Sequence, residues 1–98
     1  MYTLIQQFQY DPQASAALLR VLETGLVPQL RKMPDFVAYY WLDSGAGAGA
    51  ALCMFEERAS AERSLELAAA IVRTYAGAPV GAPAVIGGTV KIHAVCGL

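Results

Sequence analysis

The chain has 98 residues, of which 56% are hydrophobic and only 15% are charged. That length fits one domain over residues 1–98, and the charged fraction lies below the roughly 25% of an average soluble domain. The net charge of −1 comes from scattered side chains, which excludes the basic stripe that a nucleic-acid partner requires.

The apolar excess indicates a self-association surface, because so small a domain buries only a modest core. An alanine-rich composition that merely inflates the hydrophobic count is the alternative. The start of the chain has no signal-peptide pattern, and no apolar run approaches the roughly 20 residues of a membrane span. We therefore expect a cytoplasmic protein without a membrane partner.

Two cysteines and one histidine, Cys53, Cys96 and His93, are too few and too scattered for a metal site. No metal is therefore expected. The cysteines are predicted to be small buried hydrophobes.

The first elements in chain order are a strand and a helix. Residues 2–10 carry β-branched and aromatic side chains and predict a strand. An Asp-Pro pair at 11–12 is typical of a helix start, and leucines at every fourth position predict a helix over 13–32. Because proline lacks an N–H donor and clashes with the preceding turn, Pro28 predicts a kink or break near residues 24–28.

The strongest strand pattern covers residues 36–44, which are apolar on both faces. A strand with one exposed face would alternate with polar residues, so both faces are predicted to be covered. The predicted faces are Phe36, Ala38, Tyr40 and Leu42 on one side and Val37, Tyr39 and Trp41 on the other. A Gly-Ala turn over 45–49 and a strand over 50–57 complete a hairpin.

The last elements are a second helix, a loop and a strand. Ser60 is the predicted helix cap, and the sequence of residues 77–88 is typical of a Gly/Pro/Ala loop. Residues 89–97 predict the final strand, with Ile92 inward and His93 on the opposite side.

The order β-α-β-β-α-β predicts a ferredoxin-like α+β domain. Right-handed crossovers place both helices on one face of a four-stranded antiparallel sheet, in the order 4-1-3-2. Strands three and four are then about 9.6 Å apart, too far for a disulfide between Cys53 and Cys96. A second copy of the sheet is the predicted cover for the other face.

Three segments carry a family resemblance: residues 25–30, residues 34–40 and residues 55–64. Their order and spacing resemble the antibiotic-biosynthesis-monooxygenase-like group of dimeric α+β barrels, in which a helix end is followed by a Pro-Gly-Phe-type turn into strand two. Asp35 replaces the glycine of that turn. The resemblance implies a homodimer whose sheets form a barrel, with a cavity between sheet and helices in each subunit.

The resemblance also implies a function. Some members oxidise polycyclic aromatic substrates without metal or flavin, related proteins degrade haem, and many members have no known activity. A haem site would favour a helix histidine, and neither predicted helix has one. The first hypothesis is therefore a cofactor-independent monooxygenase of a small aromatic substrate, with no cofactor. The alternative is a non-catalytic small-molecule-binding or structural homodimer, and a regulatory effector-binding domain is a weaker third.

The candidate catalytic residues are His93, Tyr39 and Trp41. His93 would be a base near neutral pH, and the aromatic residues would supply walls and polar tips. The alternatives are a structural or exposed histidine and aromatic side chains that belong to the core and the dimer interface.

The candidate ligand-binding residues are Gln6, Tyr40 and Arg73. Gln6 falls on an otherwise apolar strand face, where an amide needs a partner, either a ligand or another side chain. Arg73 would hold an anionic ligand or else be solvated.

Overall fold

A four-stranded antiparallel sheet carries a helical layer on one face in the computed structural model, which describes residues 1–75 and 84–97. The strand order is β2-β3-β1-β4, which is the predicted order. The α+β class and the placement of two helical stretches against the sheet are therefore confirmed. The strands are β1 (Tyr2–Gln9), β2 (Phe36–Gly45), β3 (Ala48–Phe55) and β4 (Ala84–Thr89).

The first helical stretch is built from four pieces. They are a 3₁₀ turn (Pro12–Ala14), α1 (Ser15–Val21), a π-helical segment (Leu22–Leu26) and α2 (Val27–Arg31). The Val27 N–H donates to the Leu22 carbonyl five residues back, so the helix widens just before Pro28. Pro28 then lies in the first turn of α2, where its missing N–H costs little. The predicted irregularity near residues 24–28 is confirmed.

One buried cluster holds the helical layer on the sheet. Leu26, Leu30 and Phe55 are at most 1% exposed. The leucine stripe of the first helical stretch belongs to this cluster, together with Leu4 of β1 and Cys53 of β3. The second helical stretch, α3 (Arg58–Tyr75), adds Ala61, which is fully buried.

A β-bulge changes which face of β2 carries Phe36. Phe36 pairs with Phe55 and Ala38 pairs with Met54, so Val37 is the extra residue. Phe36 therefore packs edge-on against Phe55, with ring centroids 5.6 Å apart, on the helix side of the sheet. The predicted grouping of Phe36 with Ala38 was wrong, because strict alternation does not survive a bulge.

The hairpin turn is tighter than predicted, and α3 begins earlier. Gly45, Ala46 and Gly47 all have positive φ, and β3 starts directly after them. α3 begins at Arg58, so Ser60 is inside the helix and buried rather than capping it. The Asp35 carboxylate instead accepts the Glu57 N–H at 3.0 Å, just before the helix.

The last strand lies at Ala84–Thr89, so the prediction of residues 89–97 was wrong. Thr89 pairs with Tyr2, the first residue of β1. After Thr89 the chain therefore has no residue of β1 left to pair with. The predicted loop at 77–88 is therefore strand from residue 84, and residues 76–83 lie outside the described residues. Cys53 and Cys96 are both free thiols, as predicted for a pair without a disulfide. Cys53 is buried as predicted, whereas the predicted burial of Cys96 was wrong, because Cys96 lies beyond the last strand and is exposed.

Candidate functional site

Alternate residues of each strand lie on opposite faces of the sheet, so the candidate residues fall on two faces. On the helix face, Gln6 of β1 lies level with Val85 of β4 and Ala51 of β3, and Ala51 lies level with Trp41 of β2. The adjacent row contains Leu4, Cys53 and Tyr39. We call Gln6, Tyr39, Trp41, Cys53 and Val85 the interlayer site.

Gln6 is the polar member of β1 on this face. It is half-buried between Leu4 and Phe8, which both belong to the apolar cluster. Among the described residues, its side-chain amide makes no hydrogen bond. Because an amide offers two donors and an acceptor, the Gln6 side chain has bonding capacity that no described residue uses.

Trp41 forms an aromatic wall beside Gln6. A Cβ atom at Gly49 would lie 2.8 Å from the indole ring, so the ring can cross β3 only because this residue has no side chain. The indole then packs against Phe8 and Tyr10, with centroid distances of 5.9 and 6.0 Å. Trp41 is the single tryptophan of the chain.

Tyr39 and Cys53 stay protonated at physiological pH. Burial raises the pKa of Tyr39 well above its ordinary value, and the neighbouring Cys53 thiol raises it further. Burial also raises the pKa of Cys53, although a hydrogen bond with Ser64 partly offsets this. Both side chains therefore offer hydrogen-bond donors and no base.

The other three candidates lie apart from this site. Tyr40 is on the opposite face of the sheet and 56% exposed. Arg73 is exposed in the last turn of α3. His93 is exposed beyond the end of β4. The structure thus brings Gln6, Tyr39 and Trp41 onto one face, and it places Tyr40 and His93 elsewhere.

A polar cluster that the sequence did not reveal lies beside Trp41, at the end of the sheet that carries the hairpin turn. The Tyr10 hydroxyl donates to Asp43 Oδ1 at 3.0 Å, the Ser15 hydroxyl donates to Oδ2 at 3.0 Å, and the Gly45 N–H donates to Oδ1 at 2.9 Å. The signal in the sequence was an aspartate at the end of an apolar strand. This cluster ties β1, α1 and the hairpin together beside Trp41.

The Asp43 carboxylate is a poor base because its charged form is stabilised. The Gly45 N–H, followed by Ser15 and Tyr10, lowers the pKa of Asp43. Burial and then the carboxylate raise the pKa of Tyr10. The pair therefore remains a carboxylate and a phenol near neutral pH.

The opposite side of the sheet, which we call the open face, has no helix over it among the described residues. Its members carry no charge; they are Thr3, Ile5, Gln7, Gln9, Ala38, Tyr40, Leu42, Ala48, Ala50, Leu52, Met54, Ala84, Ile86 and Gly88. Leu42 and Ile86 are 54% and 67% exposed. A groove between β1 and β4 on this side contains the Thr3 hydroxyl, which is buried without a hydrogen-bond partner in the described structure.

No helix within residues 1–75 and 84–97 combines the length and the apolar character needed to cross a membrane. The same residues contain no cluster of three or more His, Cys, Asp or Glu side chains that could hold a metal ion.

Comparison with known proteins places the chain by its fold. No protein-family model and no curated protein matches it. A solved antibiotic biosynthesis monooxygenase superposes with a TM-score of 0.74 and 20% identity, over 94% of this chain and all of the other. The chain has the fold of the antibiotic biosynthesis monooxygenases.

Two more structures share this monooxygenase fold. A protein of unknown function from Nitrosomonas europaea gives a TM-score of 0.77 at 20% identity, over 97% of this chain and 93% of the other. A Streptomyces coelicolor monooxygenase in complex with nanaomycin D gives 0.71 at 17% identity, over 97% and 91%. The fold implied by the sequence resemblance is therefore confirmed across almost the whole chain.

Proposed function

We propose that this protein is a cofactor-independent monooxygenase, which binds a small aromatic substrate in the interlayer site and works as a homodimer. The free amide of Gln6 carries the proposal, because it lies between apolar side chains and next to the Trp41 wall. A flat ring with one oxygen substituent suits that combination, since apolar walls hold the ring and a polar group fixes its orientation. The monooxygenase fold supports the choice of reaction.

The chemistry requires an electron-rich substrate that gives its own electrons to oxygen. With an anthrone, two C–H bonds of the ring CH₂ break and a carbonyl forms there. One atom of O₂ enters the product, and the other leaves as water with the two hydrogens. The interlayer site would exclude bulk water from this reaction, while Gln6 and Tyr39 donate hydrogen bonds to the substrate oxygen.

The substrate anion must arise from the acidity of the substrate itself. Tyr39 and Cys53 stay protonated because burial raises the pKa of both, so neither takes a proton near neutral pH. We expect the turnover rate to rise with pH through the pKa of the bound substrate. Substrates of lower pKa should therefore react faster at pH 7.

A non-catalytic small-molecule-binding homodimer is the second candidate. The same protonated Tyr39 and Cys53 favour it, because the interlayer site holds donors without a base. This candidate predicts ligand binding without oxygen consumption.

The homodimer in both candidates would form through the open face. Tyr40, Leu42 and Ile86 are more than half exposed there, and an uncharged apolar surface of this kind is typical of an interface. A second copy offers the same surface, which suits a two-fold contact.

One experiment tests binding and catalysis separately. Trp41 fluorescence is titrated with a panel of quinols and anthrones, and oxygen consumption is followed with the same compounds. Gln6→Leu is expected to weaken binding about fivefold, since one hydrogen bond to this half-buried amide would contribute on the order of 1 kcal/mol. Gln29→Leu, on the exposed side of α2, is the matched control and should bind normally.

The outcomes separate the two candidates. Binding with oxygen consumption supports the monooxygenase, and binding alone supports the second candidate. If no compound changes the Trp41 emission, or if Gln6→Leu binds as well as the native chain, the interlayer site is not the binding site.

A further inference from the structure

Three aromatic side chains pack together beside the interlayer site. Trp41 contacts both Phe8 and Tyr10, with centroid distances of 5.9 and 6.0 Å. These distances lie within the roughly 4.5–7 Å of packed aromatic pairs. Because rings in such contact exchange an electron readily, an electron can pass directly between Tyr10 and the Trp41 wall of the interlayer site.

Trp41 is the side chain of this site that an oxidant attacks most readily. An indole gives up an electron more easily than an amide or an aliphatic group, and Trp41 is the single tryptophan of the chain. Burial raises the pKa of Cys53, and the oxidation of a thiol follows its thiolate character. An oxidising radical released during the proposed reaction with O₂ would therefore take its electron from Trp41.

The Tyr10 hydroxyl has a proton acceptor in place. It donates to Asp43 Oδ1 at 3.0 Å, and the alternative acceptor, the Ala48 carbonyl, is farther away at 3.3 Å. A phenol that loses an electron becomes a very strong acid, so its oxidation is easy only where a base takes the proton. Hydrogen bonds from Gly45 and Ser15 make Asp43 a weak base, yet any carboxylate is basic enough for that acid. Asp43 is exposed, so the proton can pass on to water.

The other tyrosine on this face of β2 has no such acceptor. Tyr39 lies in the row next to Trp41, but within the described residues its hydroxyl has no carboxylate partner. Burial raises its pKa, and its titratable neighbour is the Cys53 thiol. Tyr10 is therefore a better electron donor to Trp41 than Tyr39 is.

We propose that Tyr10 and Asp43 form a relay that returns an electron to oxidised Trp41. One electron passes from Tyr10 to the Trp41 radical cation, which becomes a neutral indole again. The O–H bond of Tyr10 breaks, its proton moves to Asp43 Oδ1, and a neutral tyrosyl radical remains. A dissolved reductant such as ascorbate then gives one electron to that radical, and the proton returns from Asp43.

The relay would protect an oxygenase from its own oxidant, and in that use it rests on the proposed function. The electron transfer itself requires only the folded chain. If the oxidised indole has already lost its N–H proton to water, water returns that proton when the electron arrives.

Pulse radiolysis of the full chain without substrate measures the electron transfer directly. Azide radicals oxidise tryptophan and generate the Trp41 radical, and the absorption bands of the tryptophan and tyrosine radicals are then followed. In native protein, we expect the first band to decay as the second rises, with the same rate constant. That constant should not change with protein concentration, because donor and acceptor belong to one chain.

Substitutions at the two relay residues test the electron and the proton separately. Tyr10→Phe keeps the ring and removes the hydroxyl, so the coupled rise of the tyrosine radical should be lost. Asp43→Asn keeps a hydrogen-bond acceptor, but a carboxamide is a far weaker base, so the transfer should slow about tenfold or more. Far-UV circular dichroism checks that each variant is folded.

Each relay variant has a matched control. Ser15→Ala removes another hydrogen bond from the same cluster and leaves the carboxylate in place. Tyr2→Phe removes a hydroxyl at the far end of β1. Both controls should transfer the electron at the native rate.

Damage to Trp41 under steady oxidation supplies a second readout. A photosensitiser that acts by one-electron oxidation is irradiated with each variant in the presence of ascorbate, and oxygen added to the Trp41 peptide is measured by mass spectrometry. Tyr10→Phe and Asp43→Asn should accumulate oxidised Trp41 severalfold faster than native protein does. Ser15→Ala should match native protein, which separates loss of the proton acceptor from loosening of the cluster.

Several results would overturn the relay. They are a native Trp41 radical that decays without a tyrosine radical, a coupled rise that survives Tyr10→Phe, and a coupled rise that is lost in Tyr39→Phe instead. Native-rate transfer in Asp43→Asn would overturn the carboxylate as proton acceptor. Since no substrate is present, a chain that passes these tests but consumes no oxygen with any quinol or anthrone overturns the monooxygenase and leaves the relay standing.

Discussion

Thr3 has a buried hydroxyl on the open face of the sheet. Its hydroxyl is buried in the groove of the open face, and within the described residues it has no hydrogen-bond partner. A buried hydroxyl without a partner costs roughly 1–3 kcal/mol, and valine has nearly the same shape without that group. We expect Thr3→Val to raise the free energy of unfolding by about 1 kcal/mol in urea titrations.

The control for this prediction is Thr89→Val. Thr89 is exposed on the neighbouring strand, so the change there should be within about 0.5 kcal/mol. A loss of stability in Thr3→Val alone would contradict the prediction and would mean that the hydroxyl has a partner in the folded protein.

Asp43 makes the stability of the hairpin cluster depend on pH. Hydrogen bonds from the Gly45 N–H, Ser15 and Tyr10 lower its pKa in the folded state. A lowered pKa contributes stability above the unfolded value of about 3.9, and that stability is lost as pH falls through the lower folded value. Asp43→Asn should therefore lower the urea midpoint at pH 7, and the difference from native protein should shrink steadily below about pH 4.

Glu66→Gln is the matched control for Asp43→Asn. Glu66 is exposed on α3 and makes no hydrogen bond or ion pair with the described residues, so its removal should leave the midpoint unchanged at every pH. A difference for Asp43→Asn that stays constant down to pH 2 would contradict an electrostatic role.

Gly49 of β3 allows the backbone of β2 and the Trp41 ring to approach closely. A Cβ atom there would lie 2.8 Å from the Leu42 carbonyl and 2.8 Å from the Trp41 ring. Since the carbonyl belongs to the backbone of β2, relief requires the strands to separate. We expect Gly49→Ala to cost about 1–3 kcal/mol of unfolding free energy and to shift the Trp41 emission.

The control for Gly49→Ala is another strand glycine. Gly88 has nothing within 4 Å of its added Cβ, so Gly88→Ala should leave both the stability and the emission of the chain near native values. Equal effects of the two substitutions would show that the close approach of Trp41 to Gly49 is unimportant.

The sequence predicted the elements where local patterns are strong. The leucine spacing of residues 13–32 and the donor that Pro28 lacks determine a helix with an irregular centre, and both features are present. The strand order followed from the connections alone. The helix and its irregular centre depend on residues close together in the chain. The strand order depends on the right-handed crossover that connections of this kind adopt. Both can therefore be inferred from a single sequence.

The sequence failed where tertiary pairing decides the outcome. Residues 90–97 have a better strand pattern than 84–89, yet β1 begins at Tyr2 and leaves them no neighbour. The bulge at Val37 moved Phe36 to the helix face. For the site, alternation correctly separated Tyr40 from Tyr39, but Asp43 and Tyr10 meet through contacts 33 residues apart, which no local pattern reveals.

The whole molecule presents two different surfaces to its surroundings. The interlayer side carries the Asp43 cluster beside Trp41. The open face carries no charge and is largely apolar. The proposed ligand binding and the proposed self-association would therefore use opposite faces of one four-stranded sheet, so variants on one face can be compared with variants on the other.

A substitution at Ile86 tests whether the open face is a dimer interface, and it should disturb the fold of one subunit very little. It is 67% exposed in the chain, so Ile86→Lys removes little buried contact within one subunit. In a dimer through the open face, the new ammonium would lose its water with no carboxylate on that face to pair with. We expect the dimer dissociation constant to rise at least tenfold in sedimentation, while ligand titration of Trp41 is unchanged. Leu19→Lys, on the helical side, should affect neither measurement, and a dimer that tolerates Ile86→Lys would exclude the open face as its interface.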